Sequence, residues 1–179
     1  FQSSREPKVW LISVFVGIAV AIAAVLFREL IIFTYSLWLG DIRENVASAA
    51  RNIHWVWIVI TPTFGGLIVG LILEKFLPTR RTGGVADVIE VHAHGGRDIE
   101  LRPGLISAVT SALSLGFGAS SGREGPMVHL GATLATTVCN KMRLPDWGRR
   151  TLLGCGVASA ISASFNAPIA GVLFAHEVI

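Results

Sequence analysis

From Val9 to Phe27 the chain runs nineteen residues without a charge, VWLISVFVGIAVAIAAVLF. A helix needs about 20 predominantly apolar residues to cross a bilayer's hydrocarbon core, so this run constrains the fold first. It is longer than the apolar region of a secretory signal, about 7–15 residues, and no A-x-A site follows it. It therefore predicts a membrane helix reaching to about Phe33, with Arg28 and Glu29 near its end. A second stretch, Trp55 to about Leu77, is also long enough to span, with Trp55 and Trp57 placed as interfacial anchors. Pro62 and the Gly65-Gly66 pair are expected to bend it, and Asp41 to Asn52 reads as a polar loop between the two. Composition agrees: 52% of the 179 residues are hydrophobic and 15% charged, where soluble domains carry about 25%. The length suits one domain, and the ends, Phe1 and an apolar run broken at Ile179, suggest a piece of a longer polypeptide.

A net charge of +3 would be compatible with a nucleic-acid partner if the basic residues formed one stripe. They do not. Lys75, Arg80 and Arg81, then Lys141 and Arg143, then Arg149 and Arg150 sit in short clusters between apolar segments. That is the pattern of the positive-inside bias, so a cytoplasmic membrane face is expected and nucleic acid is not. Cys139 and Cys155 lie in apolar segments without metal-ligand spacing and read as membrane-buried thiols. Glu90, His92 and His94 would line up as ligands only on an extended strand, so IEVHAHGG reads as a solvent-facing loop rather than a metal site.

Beyond Leu77 the pattern changes. Leu77 to Asp98 is polar and glycine-punctuated around one apolar patch, Val85 to Val91, and Leu105 to Ser121 is apolar but crowded with small residues. Three short elements follow: Pro126–Asn140, Thr151–Ser164 and Ala167–Ile179. At 13 to 15 residues each, they would be about 20–23 Å long against a core of about 30 Å, and so would begin or end partway through the membrane. Gly122-Arg-Glu-Gly-Pro126 and Phe165-Asn-Ala-Pro168 place polar or glycine residues and then Pro before an apolar run. That is helix-start chemistry, an oxygen-bearing cap followed by Pro in the first turn. Helices that start at mid-membrane bind anions through free N–H groups and the positive dipole end. Gly154 to Ser164, GCGVASAISAS, is nearly all small residues and predicts close helix packing.

The stretch GASSGREGPMVHLGA, Gly118 to Ala132, admits three readings. A phosphate loop fails, because Gly122 is followed by Arg-Glu where Lys-Ser/Thr is required. Gly118-Ala-Ser120-Ser-Gly122 matches the G-x-S-x-G nucleophile elbow, which would make Ser120 the nucleophile of an intramembrane hydrolase. That motif needs a strand before the serine, and the segment before it has no period-2 alternation. The third reading is an anion site with a titratable gate. A helix dipole contributes about 0.3–1 kcal/mol, or about 2 when partly buried, whereas burying an unpaired carboxylate costs several. Glu124 can stay charged there only in a site built for anions, where it competes with a soluble one. The plainer alternative is an Arg123–Glu124 pair that merely caps the helix. His129, a turn further on, reads as a polar packing residue.

At this point the residues carry a family resemblance. GREGP at Gly122–Pro126, within LGFGASSGREGPMVHLGATLA, resembles the signature of the CLC chloride channels and chloride/proton antiporters. FNAPIAGVLFAHEV, Phe165 to Val178, resembles the same family in the same order. The resemblance is weak over the first 75 residues and corresponds to the amino-terminal half of a subunit. It implies an all-α integral membrane protein of the CLC inverted-repeat fold, residues 1–179 forming one half, with short broken helices meeting at mid-membrane. It implies a homodimer in the plasma (inner) membrane, multi-pass, transporting chloride and other small anions, with protons as partners in exchangers. No enzyme activity, cofactor or metal is implied. By that match Glu124 is the external gating glutamate, with Arg123 and Gly125 beside it as anion-binding residues.

Two positions depart from the family pattern. Its inner anion loop usually reads Gly-Ser-Gly-Ile-Pro, and the counterpart here is Thr82-Gly83-Gly84-Val85-Ala86, with Gly83 at the serine position. Either Thr82 supplies the hydroxyl, or backbone N–H groups at Gly83, Gly84 and Val85 hold the anion alone. The internal proton-transfer glutamate of the antiporters corresponds to Val178, with Glu177 and His176 just before it on the inner pathway. Channel and exchanger both stay open, and without the second half the piece alone would not conduct.

Overall fold

The computed structural model describes residues 6–40, 54–94 and 99–179; the loop expected at Asp41–Asn52 lies outside them. Seven helices are present among the described residues, and no strand. They are α1 (Glu6–Leu39), α2 (Trp55–Phe76), α3 (Val85–His94), α4 (Leu101–Gly116), α5 (Glu124–Met142), α6 (Asp146–Phe165) and α7 (Pro168–Val178).

The long apolar runs become α1 and α2, which pass by length and composition as membrane spans. Only 22% of the most apolar window of α1 and 11% of that of α2 is buried inside the molecule. Trp10, Phe15, Ile18, Ile22 and Leu26 on α1, and Trp57, Phe64 and Leu71 on α2, stand more than half exposed. Each such side chain left in water forgoes about 1.5–3 kcal/mol, so these faces require an apolar surrounding. Pro62 lies inside α2 without ending it. The side of α1 that is buried is a narrow stripe, Val9, Val16, Val20, Ala24 and Phe27, at helical spacing.

Three expectations are corrected. The segment 77–98 is not all loop, because Val85 to His94 forms α3. Second, α5 and α6 run 19 and 20 residues, about 28–30 Å, rather than 13 to 15. Their polar ends, Glu124 and Lys141 on α5 and Asp146 to Arg150 on α6, belong to the helices; the apolar pattern marked only their centres. The 11-residue α7 does stay short. Third, the starts of α5 and α7 carry no oxygen cap: the capping positions are Arg123 and Ala167, neither with a side-chain cap bond. Asn166 instead closes α6 in the left-handed region, at φ 52°, with the Ala167 N–H donating to the Ser162 carbonyl at 3.2 Å. Pro168 is in the first turn of α7 as expected. Within the protein itself Cys139 is fully buried and Cys155 partly buried.

The small-residue packing is as predicted. α5 and α6 form an antiparallel hairpin whose backbones touch at Gly131 and Gly156. A β-carbon on either would lie 2.6 Å from the other's carbonyl oxygen. Ala132, Ala135, Val157 and Ala160 bury completely along this seam. On the far side Gly17 of α1 brings Ser159 of α6 within 3.2 Å of a β-carbon position, and Trp38 Nε1–H donates to the Gly116 carbonyl at 2.9 Å. The hairpin is thereby held between α1 and α4 on one side and α3 and α7 on the other.

Candidate anion site

Two helices start at the same place. Residue Gly84 precedes α3, and Glu124-Gly125 opens α5. A β-carbon on Gly125 would lie 3.6 Å from Gly84 Cα. The four N–H groups at a helix start have no intrahelical partner and carry the positive end of the dipole. Here two such ends share one spot, and glycine on both strands of the contact lets the backbones approach.

The loop ahead of α3 is tied down by side chains. The Gly83 N–H donates to Ser107 Oγ of α4 at 2.7 Å, and the Gly84 N–H donates to Asp87 Oδ2 at 2.7 Å. Arg81 grips the same carboxylate with both terminal nitrogens, one at 3.1 Å. Asp87, three residues after the capping position, thus plays the acidic part of a capping box. Burial works against the Asp87 carboxylate, but the Arg81 donors and the Gly84 N–H outweigh it and hold its carboxyl below the usual range. Behind the loop stands His129 of α5: a methyl on Gly83 would overlap its ring. Pro78, Thr82, Ser107 and His129 line a cavity of about 360 Å³ on this side.

The predicted residues distribute unevenly around this contact. Gly83, Gly84, Val85, Glu124 and Gly125 come together there. The Gly83 and Gly84 N–H groups are already donated, so the N–H groups without an internal partner begin at Val85. Glu124 is exposed on the first turn of α5, and no ion pair joins it to Arg123 among the described residues. The Arg123 guanidinium instead lies over the Phe165 ring, 5.2 Å from its centroid. It faces a cavity shared with Arg28, Glu29 and Tyr35. His176, Glu177 and Val178 form the last turn of α7, away from the Gly84–Gly125 contact; His176 shares a separate cavity with His92, Arg150 and Cys155. Ser120 lies between α4 and α5 with a helix, not a strand, before it, so the nucleophile elbow lacks its context.

The residues that hold the loop, Arg81, Asp87, Ser107 and His129, were not singled out for this from the sequence. Asp87 carried a signal, its position three after a glycine at a helix start. Ser107 is 24 positions from its partner and carried none.

Residues 65–179 match the family model described as voltage gated chloride channel. A ClcB-like protein of Ralstonia nicotianae is 34% identical over 171 residues, covering 92% of this chain and 39% of that protein. The voltage-gated ClC-type chloride channels ClcB of two Escherichia coli strains are 31% identical over 172 residues, covering 94% of this chain and 40% of theirs. The chain thus spans about two fifths of the length of these curated relatives. With all-helical architecture, two apolar spanning helices and a family match over more than half its length, the chain belongs to the CLC, or voltage gated chloride channel, family.

Proposed function

We propose that this chain is the amino-terminal half of a CLC-type transmembrane domain, and that the complete protein moves chloride across a membrane. The observation that carries the reading is the meeting of two helix starts at Gly84 and Gly125, with Glu124 on the outer one. A small anion there is attracted by N–H groups and dipole ends without a buried cation to compensate. Glu124 acts as a tethered anion: charged, it occupies the site, and protonated or swung aside, it vacates it. Its exposure leaves the carboxylate room to move.

The inner boundary is the Gly83-Gly84-Val85 loop, where no serine hydroxyl is offered by the loop's second residue. Backbone N–H groups from Val85 onward, with Thr82 on the cavity wall, support the anion there. The basic clusters at residues 75–81 and 141–150 support a cytoplasmic orientation of this end. The complete protein is a multi-pass, homodimeric membrane protein, and this half alone supplies half a site.

In liposomes containing the full-length protein, Glu124→Gln is expected to flatten the external pH dependence of chloride flux. Normal flux with unchanged pH dependence would remove Glu124 as the gate. Reversal potential under a proton gradient separates exchanger from channel: a shift means proton coupling despite Val178, and no shift means a passive path.

A further inference from the structure

Two arginines stand together at the Glu124 end of the molecule, where the membrane topology does not call for them. The uncharged run Val9–Phe27 is about 28 Å long as a helix, close to a hydrocarbon core of about 30 Å. Arg28 therefore stands where α1 leaves the core, at headgroup level. Arg123 precedes α5, and the basic cluster at 141–150 lies at the opposite ends of α5 and α6. The positive-inside bias thus accounts for the cluster and not for this pair.

Both guanidinium groups line one cavity of about 320 Å³ between α1, the start of α5 and the end of α6. Neither makes an ion pair or hydrogen bond among the described residues. Arg123 is steadied by the Phe165 ring, 5.2 Å away, a contact that leaves its N–H donors without a hydrogen-bond partner. Glu29 lines the same cavity, but consecutive residues on a helix do not face each other, and no ion pair joins it to either arginine. Two cationic forks therefore stand against one carboxylate. The α1 wall is mostly apolar. Val25, Arg28, Ile32 and Tyr35 follow at spacings of three and four and share one face. Val25 and Ile32 are exposed and continue the outward row of Ile18 and Ile22, which requires an apolar surrounding.

A free inorganic anion would use the guanidinium groups and leave this apolar wall unmatched. A molecule with a phosphate at one end and hydrocarbon at the other uses both. We propose that the cavity binds an anionic phospholipid. Arg28 and Arg123 hold the phosphate, an acyl chain lies along Val25 and Ile22 toward the membrane centre, and Tyr35 stands beside the headgroup. The inference goes beyond the transport reading: it requires that the chain sits in a membrane, not that chloride moves.

The test titrates the full-length protein, delipidated in neutral detergent, with short-chain phosphatidylglycerol or phosphatidylcholine and reads the melting temperature. A ligand that binds only the folded state raises it. Phosphatidylglycerol is expected to raise it by several degrees and phosphatidylcholine much less. Combining Arg28→Gln with Arg123→Gln should weaken the apparent affinity for phosphatidylglycerol about tenfold. Arg150→Gln, at the opposite end of α6, should leave it unchanged. Equal stabilisation by the two lipids, an unaltered affinity in the double variant, or an equal loss in Arg150→Gln overturns the inference. Glycerol phosphate, a headgroup without chains, should not stabilise; if it matches phosphatidylglycerol, the site is one for free phosphate and the lipid is overturned. If the double variant does not fold, Arg28→Gln alone decides, and an affinity that does not fall several-fold overturns the proposal. Because the readout is binding, a protein that binds phosphatidylglycerol but moves no chloride overturns the transport reading and leaves this inference standing.

Discussion

Both α1 and α5 are long enough to cross a bilayer, yet they are opposite kinds of helix. Among its 34 residues α1 buries Val9, Val16, Val20, Ala24, Phe27, Thr34 and Leu39, and turns large apolar side chains outward elsewhere. By contrast α5 buries ten of its 19, most of them small or hydroxylated, among them Gly131, Ala132, Thr133, Ala135 and Thr136. Its threonines return their hydroxyls to carbonyls one turn back, Thr133 to His129 at 2.7 Å and Thr136 to Ala132 at 2.9 Å. Hydropathy therefore identifies the helix that meets the surroundings, and small-residue content identifies the helix that meets other helices. The candidate site is on the second kind, since only close backbones can bring two helix starts together.

The largest effect that would break this contrast is at the α5–α6 seam. Gly131→Leu or Gly156→Leu forces a side chain into a facing backbone carbonyl, which cannot rotate away. Overpacking a filled core costs about 1–3 kcal/mol and more where the backbone must move. We expect little or no monodisperse protein in detergent by size-exclusion chromatography. Gly70→Leu in α2, where nothing lies within 4 Å of a β-carbon, is the control and should behave as wild type. Equal behaviour of the two would mean that the hairpin is not packed backbone to backbone.

The next effect is on α1. Ile22 is 57% exposed near the middle of the helix. If that face meets lipid or an apolar partner surface, Ile22→Lys should cost about 2.5–3.5 kcal/mol of membrane insertion. Ile22→Val should cost almost nothing. A glycosylation-mapping assay of insertion reads the difference, and an inert lysine there would show that the exposed face of α1 meets water.

How much of this was legible beforehand follows the same contrast. The spans α1 and α2 were readable because length and apolarity are local properties; Trp55 opens α2 as read. The centres of α5 and α6 were readable, but not their ends, because charged residues on a helix's first and last turns leave the apolar pattern while keeping the backbone helical. The helix α3 was missed as a helix: two glycines precede it and Glu90 and His92 dilute its apolar face. Glu124 was singled out by its place at a helix start, and Gly83, Gly84, Val85 and Gly125 through a resemblance; the contact between Gly84 and Gly125 is a fact of tertiary packing that no spacing along the chain contains. For Arg123 the resemblance suggested an anion-binding neighbour of the gate, whereas its side chain turns toward Phe165.

The smallest effect concerns the loop that distinguishes the site from the lipid-facing helices, and it has a defined sign. The Asp87 carboxyl is held below its usual range, so its ionised form contributes stability that is fully present above the unfolded value. That contribution is lost as pH falls through the folded value, below the ordinary carboxylate range. Acid should therefore loosen the 79–84 loop only under conditions where ordinary carboxylates are already protonated. Arg81 is 60% exposed, which screens its share, so Asp87→Asn should cost about 1 kcal/mol at neutral pH. Amide exchange at Gly84, whose N–H the carboxylate accepts at 2.7 Å, is the direct readout. It should quicken in Asp87→Asn at neutral pH and in the wild type only in strong acid. Gly83, held by the neutral Ser107 hydroxyl, should show a weaker pH response. Identical acid responses at the two glycines would mean that Asp87 does not fix the loop, and that its anchoring is a matter of packing alone.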